Sequence, residues 1–355
     1  MHTKRKMNLK QLAEKIGVST ATISNAFSRP DQLSEKLRER ILKEAEANGF
    51  HAPNLASQML RSGASNVVGV MLSDTLQYSL SDAVANQVLQ GIAKVLADNN
   101  KHMLLLSSQV ESKEQRLAES LPDGFIFYGT TEYGTVDKPI VNRIVKTGRP
   151  VVIVDFYVDG VSSINIDNQH AAYEIAKHAM KSENLEIAVL GLKLLDIDRI
   201  SRLTQEDFDS KYTEITRTRL KGFMLAAADS NCKIDAHSIW HVPINSAQQA
   251  EIAAREALNK YPRPQVVLCM SDVIALATLK VARELKINVP NDLVVTGFDG
   301  IPASESSTPR LTTVCQQSVH KGIVAAELLM SGERDKHIIL DTKVEIREST
   351  FIDAE

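Results

Sequence analysis

The spacing of apolar residues divides the chain into two regions that meet near Val67. Before this point, apolar residues recur at i, i+3, i+4 and i+7, the spacing of an amphipathic helix. Three short helices are predicted, over Leu9–Lys15, over Ser19–Ser28 and from Ser34 to about Gly49, where Ser34 is a cap and Gly49 a stop signal. The pattern therefore predicts a small all-α unit at the start of the chain.

Beyond this point, continuous apolar runs of strand length alternate with longer amphipathic stretches. Strands are predicted over 67–72, 102–107, 124–129, 150–155, 186–191, 265–270 and 293–298. Helices are predicted, for example, over 84–98, 169–181, 247–259 and 272–285. Apolar strands separated by helices are typical of parallel sheets covered on both faces. So many strands spread over this length favour two doubly wound subdomains over one.

One segment, 192–218, interrupts this alternation. It is highly charged and contains no clear strand. We expect an insertion or a mobile loop there, beside a helix that begins before Arg219.

Charge is distributed unevenly along the 355 residues, whose formal net charge is −3. Residues 1–62 carry 11 Lys or Arg against 6 Asp or Glu, a net of +5, which leaves −8 for the remainder. A small basic head on a large acidic body indicates that only the head meets a polyanion such as DNA.

The second predicted helix carries short polar side chains where a surface helix usually carries charges. In a helix–turn–helix this helix enters the DNA major groove, where Ser, Thr and Asn reach base edges and phosphates. We predict base contacts for Thr20, Ala21 and Asn25, and phosphate or capping roles for Ser19, Thr22 and Ser24. Further phosphate contacts are expected from Lys4, Arg5, Lys6, Lys10 and Arg29. An ordinary helical hairpin is the alternative interpretation.

Other classes of protein are disfavoured by the motifs that the chain lacks. It contains no GxGxxG after a strand, no GxxxxGK[ST] and no GxSxG, so we expect neither an enzyme nor a cofactor. Its nine histidines and three cysteines match no metal-ligand spacing, so no metal is expected and the thiols should be reduced. With no run of 18 apolar residues and no signal peptide, a cytoplasmic protein without membrane contact is expected, rather than an exported sugar receptor.

Several stretches together resemble the LacI/GalR family of bacterial repressors. MNLKQLAEKIGVSTATISNAF and the later HAPNLASQML follow the family's order of helix, Gly-Val-Ser turn, recognition helix, third helix and Pro-Asn hinge. Later matches are RLKGF (219–223), PQVVLCMSDVIALATL (264–279), VPNDLVVTGFDGIP (289–302), PRLTTVCQ (309–316) and IREST (346–350). The resemblance covers essentially the whole chain. It departs from the family pattern at Ser57-Gln58, in the long segment 193–218 and in the loop 74–85.

The resemblance implies a helix–turn–helix head followed by an α/β clamp of two doubly wound subdomains, like a periplasmic binding protein. The expected bounds are 1–52 for the head, 53–65 for a hinge helix and linker, 66–161 plus 318–331 for the first subdomain, and 162–298 plus 338–348 for the second. Crossings between the subdomains are expected near 160–164, 299–318 and 331–337. A homodimer is expected, because no heptad tail follows the last predicted strand to join dimers.

The hinge is expected to fold on DNA, because so short a helix is marginal alone. By resemblance, Asn54 and Leu60 contact DNA there, with Leu60 as a wedge that partly unstacks the central base step. A flexible linker with Leu60 resting on the core is the alternative.

The effector is expected in the cleft between the subdomains, where the carboxyl ends of the strands converge. By resemblance, Asp272 and Arg219 bind the ligand; the alternatives are a helix cap for Asp272 and a surface salt bridge for Arg219. Asp155 and Tyr128 end two strands and so should face the cleft. Further candidates are Tyr78, Asp82 and Asn245. Together these groups suit a sugar or a nucleoside, so the sequence predicts a DNA-binding repressor controlled by such an effector.

Overall fold

The computed structural model describes residues 7–28, 30–50, 64–109, 116, 119–129, 138–209 and 214–351. The chain forms two compact units, Met1–Asn66 and Val67–Glu355. Some of the predicted DNA contacts lie outside the described residues, namely Lys4, Arg5, Lys6, Arg29, Asn54 and Leu60.

The first unit contains the three predicted helices, α1 (Leu9–Ile16), α2 (Thr20–Ser28) and α3 (Glu35–Ala47). Asn8 begins α1 with a capping box, and Gly17 ends it in the left-handed conformation (φ +77°) that glycine adopts without strain. The helices enclose a common core formed by Leu12, Ala13, Ile16, Ile23, Ala26, Ile41 and Ala45. The prediction of a small all-α head is confirmed.

The second unit alternates strands with helices. Its strands are β1 (Val67–Leu72), β2 (His102–Ser107), β3 (Gly124–Tyr128), β4 (Val151–Val154), β5 (Ser162–Ile166), β6 (Ile187–Leu192), β7 (Ser201–Arg202), β8 (Ile239–Val242), β9 (Val266–Cys269), β10 (Val294–Asp299), β11 (Thr312–Cys315), β12 (His337–Leu340) and β13 (Lys343–Glu345). Its helices are α4 (Leu76–Ser81), α5 (Ala83–Asp98), α6 (Lys138–Val145), α7 (Asn168–Ala179), α8 (Glu214–Ala228), α9 (Ala247–Leu258), α10 (Asp272–Glu284), α11 (Pro302–Ser306) and α12 (Ser318–Ser331). The seven strands and four helices predicted from the apolar pattern are all present within two residues of their predicted bounds. The final strand expected over 338–348 is instead two short strands, β12 and β13, in different sheets.

The first sheet has the order β12-β5-β4-β3-β1-β2, and all its pairs are parallel. Successive residues of β1 point to opposite faces: Val70 packs with α5 and α12, and Met71 packs with α6. Because both faces are covered, the central strands β1, β3 and β4 are almost entirely apolar, which is why the sequence predicted them.

The second sheet has the order β13-β11-β10-β9-β6-β8-β7. Its inner pairs are parallel, and the short edge strands β13 and β7 are antiparallel to their neighbours. Residues of α7 and α8 pack on one face, and those of α9 and α10 pack on the other. The predicted α/β core of two doubly wound sheets is confirmed.

The division of strands between the sheets differs from the expected one. Strand β5 (162–166), expected in the second subdomain, pairs with β4, and β12 (337–340) pairs with β5, so both belong to the first sheet. Strand β11 (312–315) forms within the expected crossing 299–318 and pairs with β10. These strands are short and partly polar, so their pairing depends on neighbours distant in sequence. The chain therefore passes between the sheets after β5, between β11 and α12, and between β12 and β13.

The charged segment 192–218 is also more ordered than expected where it is described. It contains β7, which pairs antiparallel with β8. The side chains of Leu194 and Leu203 are completely buried in the core of the second sheet. These two leucines anchor residues 193–203, which we call the strap. As predicted, α8 begins before Arg219.

Two glycines allow α5 and α12 to touch through their backbones. A Cβ atom placed on Gly322 would lie 2.1 Å from the carbonyl oxygen of Val88, and one on Gly91 would lie 2.0 Å from the carbonyl oxygen of Val319. No side chain fits at these distances, so this packing requires glycine at both positions.

We expect Gly322→Ala to lower the free energy of unfolding by about 1–3 kcal/mol, because the added methyl group forces the helices apart. Urea unfolding measures the change. Glu327→Ala, at an exposed position of the same helix, is the control and should change stability by less than about 0.5 kcal/mol. Wild-type stability in Gly322→Ala would contradict the close contact.

Candidate functional site

A cavity of about 160 Å³ lies between the two sheets of the second unit. Groups that follow the carboxyl ends of strands in both sheets form its wall, as is usual for ligand sites in doubly wound folds. On the side of the first sheet it is lined by Ser73, Asp74, Tyr78, Ser79, Asp82, Val84, Ala85, Tyr128, Gly129 and Asp155. On the other side it is lined by Leu192, Lys193, Ile215, Thr216, Arg219, Asn245, Ser271, Asp299 and Gln316.

The structure brings six of the seven predicted effector residues together in this wall, namely Arg219, Asp155, Tyr128, Tyr78, Asp82 and Asn245. The seventh, Asp272, does not line it. A further carboxylate, Asp299, which was not among the predicted residues, does line it.

Arg219, on α8, is only 7% exposed, which excludes the alternative of a surface salt bridge. Its Nη1 donates to the carbonyl oxygen of Met270 (2.6 Å), and its Nε donates to Oδ1 of Asn168 (2.9 Å). Its guanidinium carbon lies 3.6 Å from the centre of the Phe298 ring. Burial lowers the pKa of Arg219, and the carboxylate of Asp299, 3.7 Å from Nη1, opposes this effect. The guanidinium is thus held rigidly at the cavity wall.

Asp299 is the last residue of β10 and is 6% exposed. Its Oδ1 accepts a hydrogen bond from Nε2 of Gln316 (2.8 Å), and its Oδ2 accepts one from the backbone N–H of Asp272 (3.4 Å). Burial raises the pKa of Asp299 well above its usual range, although Arg219 opposes the shift. The signal that could have revealed it is the Asp-Gly pair that ends a buried strand, since Gly300 (φ +71°) makes the sharp turn there.

Asp272 lies behind the wall and is completely buried. One of its oxygens accepts a hydrogen bond from the hydroxyl of Thr313, and the other accepts one from the backbone N–H of Ile301 (2.9 Å). Burial raises its pKa to about 6. It is not the cap of α10 either, because Ser271 accepts the hydrogen bond from the N–H of Ile274 (3.2 Å). The geometry corrects the prediction: this carboxylate joins β11 and the start of α11 to α10.

A buried lysine connects the carboxylates of the two sheets. Nζ of Lys321, on α12, is completely buried and donates to Oδ1 of Asp155 (2.6 Å) and to Oε1 of Gln316 (2.7 Å). Gln316 in turn donates to Asp299. The chain of contacts therefore runs from the end of β4 in the first sheet to the end of β10 in the second.

Asp82 and Asn245 form a second contact across the cleft. Asp82 caps α5 by accepting a hydrogen bond from the N–H of Ala85 (2.8 Å). Burial raises the pKa of Asp82, and the nearby side chain of Asn245, from the side of the second sheet, opposes this shift. Asn245 also accepts a hydrogen bond from the hydroxyl of Ser271 (2.7 Å). Both residues were predicted only as candidates, and both lie where a ligand would meet them.

The strap places a cation at the cavity. Lys193, in the left-handed conformation (φ +49°), has Nζ 3.5 Å from Oδ1 of Asp74 and 5.7 Å from the centre of the Tyr78 ring. Since Lys193 follows β6 of the second sheet and Asp74 follows β1 of the first, this pair also bridges the cleft.

A buried histidine holds the strap. His241, on β8, is completely buried; its Nδ1 accepts a hydrogen bond from the N–H of Leu195 (3.1 Å), and its Nε2 lies 2.9 Å from the carbonyl oxygen of Ile197. Because an N–H can only donate and a carbonyl can only accept, the ring must be neutral with its proton on Nε2.

In the first unit, one of the predicted DNA contacts, Ser19, caps helix α2. The hydroxyl of Ser19 accepts a hydrogen bond from the N–H of Thr22 (3.0 Å) and lies 2.8 Å from the Thr22 hydroxyl. Ser24 is half-buried. Ser19 therefore has one of the two roles that the sequence suggested, capping, and the roles of Thr22 and Ser24 stay predictions.

The other candidates lie on the outside of the helix. Thr20 and Ala21 are exposed at its amino end, and Asn25, one turn later, donates from Nδ2 to Oε1 of Gln32 (3.1 Å). Lys10, on α1, is exposed. Base contacts by Thr20, Ala21 and Asn25 stay a prediction.

Over the part of the chain that the structure describes, no helix is long and apolar enough to cross a membrane. Among the same residues, no cluster of three or more His, Cys, Asp or Glu side chains is arranged to hold a metal ion.

The chain is similar to known proteins over nearly its full length. A family model described as a periplasmic binding protein-like domain matches residues 195–350. An HTH-type transcriptional regulator of Mycobacterium tuberculosis is 32% identical over 342 residues, which cover 93% of this chain and 92% of that protein. A solved LacI-family regulator of Corynebacterium glutamicum is 27% identical, with a TM-score of 0.70 over 97% of this chain and 98% of the other. The regulator CelR, solved as a cellobiose complex, shares the fold at 21% identity, with a TM-score of 0.65 over 97% of this chain and 99% of the other.

The three-helix head, the two parallel sheets and this similarity define a class of protein, transcriptional regulators with a periplasmic-binding-protein-like core. The chain belongs to the LacI/GalR family of bacterial transcriptional regulators.

The two neighbouring carboxylates should differ when they are replaced. Asp272→Ala leaves the Thr313 hydroxyl and the Ile301 N–H unpaired in the core, so we expect it to lower the free energy of unfolding by roughly 2–5 kcal/mol. Asp299→Asn keeps the shape, but it can accept only one of the two hydrogen bonds and it leaves Arg219 without its counter-charge. We therefore expect a loss of about 1–3 kcal/mol, together with at least about tenfold weaker effector binding. Urea unfolding and ligand titration of the two variants measure both quantities. If Asp272→Ala weakened ligand binding with little loss of stability while Asp299→Asn did the opposite, Asp272 and not Asp299 would be the ligand-binding residue.

Replacing the histidine that holds the strap should loosen the strap. His241→Ala removes the partners of Leu195 and Ile197, so amide hydrogen exchange over 195–202 should become about 10–100 times faster. His178→Ala, which removes a histidine bonded to Thr350 instead, is the control and should leave this segment unchanged. Unchanged exchange in His241→Ala would mean that Leu194 and Leu203 alone hold the strap.

Proposed function

We propose that this chain is a cytoplasmic, sequence-specific DNA-binding repressor that acts as a homodimer and is controlled by a sugar or nucleoside bound in the cavity. The observation that carries the proposal is the presence, in one chain, of a helix–turn–helix with exposed short polar side chains and a cavity lined by carboxylates from two sheets. Neither feature alone would suggest a regulated switch.

The DNA-binding half rests on the head. Thr20 and Ala21 are small and exposed at the amino end of α2, where a recognition helix meets base edges. The net charge of +5 in residues 1–62 supplies attraction to phosphates. In the hinge, Asn54 and Leu60 act as minor-groove contacts, and Leu60 widens the central step as a wedge.

The effector half rests on the donors and acceptors of the cavity. Asp299 and Asp155 accept hydrogen bonds from hydroxyl groups of the effector, and Arg219 and Asn245 donate hydrogen bonds to its hydroxyl oxygens. Pairs of this kind are the usual means of binding a polyhydroxylated ring. The cellobiose complex of CelR, which shares the fold, supports this class of ligand.

The two halves communicate through subdomain rotation. Ligand that touches Asp155 on one side and Asp299 on the other favours one relative orientation of the sheets. The first sheet begins at Val67, directly after the hinge, so its orientation alters how two hinges pair on the operator. The coupling is expected to be about 1–3 kcal/mol, typical of such switches.

Operator binding tests the DNA half. If the dimer neutralises about 6–10 phosphates, the logarithm of affinity for DNA upstream of its own gene should fall with the logarithm of salt concentration with a slope of about −5 to −9. Asn25→Ala should cost about 1–3 kcal/mol at one base position per half-site. Fluorescence anisotropy on operator variants measures both quantities.

Gln32→Ala is the matched control, because it breaks the same Asn25–Gln32 hydrogen bond but leaves the Asn25 amide in place. It should keep base preference. Affinity that is insensitive to salt would contradict the proposed DNA-binding function, and an unchanged base profile in Asn25→Ala would remove this residue from the readers.

A further inference from the structure

The wall of the effector cavity has an excess of negative charge. Among the residues that the structure describes, it contains the four carboxylates Asp74, Asp82, Asp155 and Asp299, and two cations, Lys193 and Arg219. Lys321 adds a third cation from behind the wall, beside Asp155. Even with it, the carboxylates outnumber the cations.

Each of these cations is already committed to a carboxylate. Lys193 lies beside Asp74, and Lys321 donates to Asp155. Arg219 lies beside Asp299 and also donates to backbone and amide oxygens. A phosphate or carboxylate on a ligand would therefore have to displace one of these internal pairs before it met a cation.

The helix ends at the cavity, which commonly bind anions, are also occupied. The amino end of α5 is capped by Asp82, which accepts from Ala85, and that of α10 is capped by Ser271, which accepts from Ile274. A helix amino terminus attracts an anion through its free N–H groups and its dipole. At α5 the protein supplies that anion itself.

The pKa values of the two tyrosines in the cavity are raised both by burial and by its carboxylates. Burial raises the pKa of Tyr78, and Asp82 and Asp74 raise it further. Burial also raises the pKa of Tyr128, with further contributions from Asp155 and Asp82. Any group that gains negative charge in this space is disfavoured, whichever sheet it approaches.

We propose that the effector is an uncharged polyol, that phosphorylated and carboxylated forms of the same compound are rejected, and that Asp82 is the residue that sets this discrimination. The proposal rests on the proposed function of the cavity as an effector site, and it narrows the class of ligand. A hydroxyl group donates a hydrogen bond to a carboxylate, whereas a phosphate at neutral pH offers mainly acceptor oxygens, and its negative charge repels the carboxylate. Asp82 is the decisive position because it alone among the four carboxylates has no ion pair with a cation among the described contacts.

The test is a thermal-shift screen followed by calorimetric titration of the full-length protein. The probes are pentoses, hexoses, cyclic polyols and nucleosides, each beside its monophosphate and, where one exists, its amino-substituted form. We expect an uncharged compound to raise the melting temperature, and its phosphate to bind at least about tenfold more weakly.

Two variants isolate the charge of Asp82. Asp82→Asn keeps a good cap on α5 and removes one negative charge, so the ratio of affinities for the uncharged and phosphorylated forms should fall at least about threefold. Asp167→Asn makes the same change at the cap of α7, which does not line this cavity, and should leave the ratio unchanged.

Tighter binding of a phosphorylated form, or an unchanged ratio in Asp82→Asn, would overturn this inference but not the proposed function. Tighter binding of an amino-substituted form would show that the cavity selects a cation and would overturn the uncharged assignment. If no probe binds while the protein still binds its operator, the effector class in the proposed function fails as well, and only its DNA-binding half stands.

Discussion

The burial of Asp299 between the two sheets is the constraint on which the site depends. A carboxylate without partners in such a place costs several kcal/mol. Its partners come from different parts of the fold: Arg219 from α8, and Gln316 from the segment that passes between the sheets. Gln316 is shared with Lys321, which also bonds Asp155 at the end of the first sheet. All these charges are satisfied together only when the two sheets face each other.

This arrangement makes the wall of the cavity and the contact between the sheets one structure. Asp155 and Asp299 line the cavity and also belong to the chain of contacts that joins the sheets. A ligand hydroxyl that binds either carboxylate therefore competes with that carboxylate's present partner, Lys321 or Gln316. The ion pair of Asp74 with Lys193 crosses the cleft as well, and Asp82 faces Asn245 across it. Interfaces of this kind tend to have discrete arrangements rather than a continuous range, which is the property that a ligand-controlled switch requires.

The sequence predicted the elements well because their signals are local. Strands that are covered on both faces must be apolar at every position, and surface helices must be apolar at every third or fourth. The strands that were missed or misassigned, such as β5, β11 and β12, are short and partly polar, and they exist because a neighbouring strand offers its backbone. Six of the seven expected effector residues line the cavity, since residues that follow parallel strands converge at one edge.

The sequence by itself determined the α/β class, the basic helical head, the family and the edge of the sheets where ligand would bind, because period, charge and motif are properties of the chain. Only the tertiary structure decided between Asp272 and Asp299. Both are aspartates near the ends of buried strands, but the partners Thr313 and Ile301 enclose the first, whereas the end of β10 exposes the second to the cavity. Which carboxylate faces a cleft depends on the register of strands that are distant in sequence, and no local pattern contains that information.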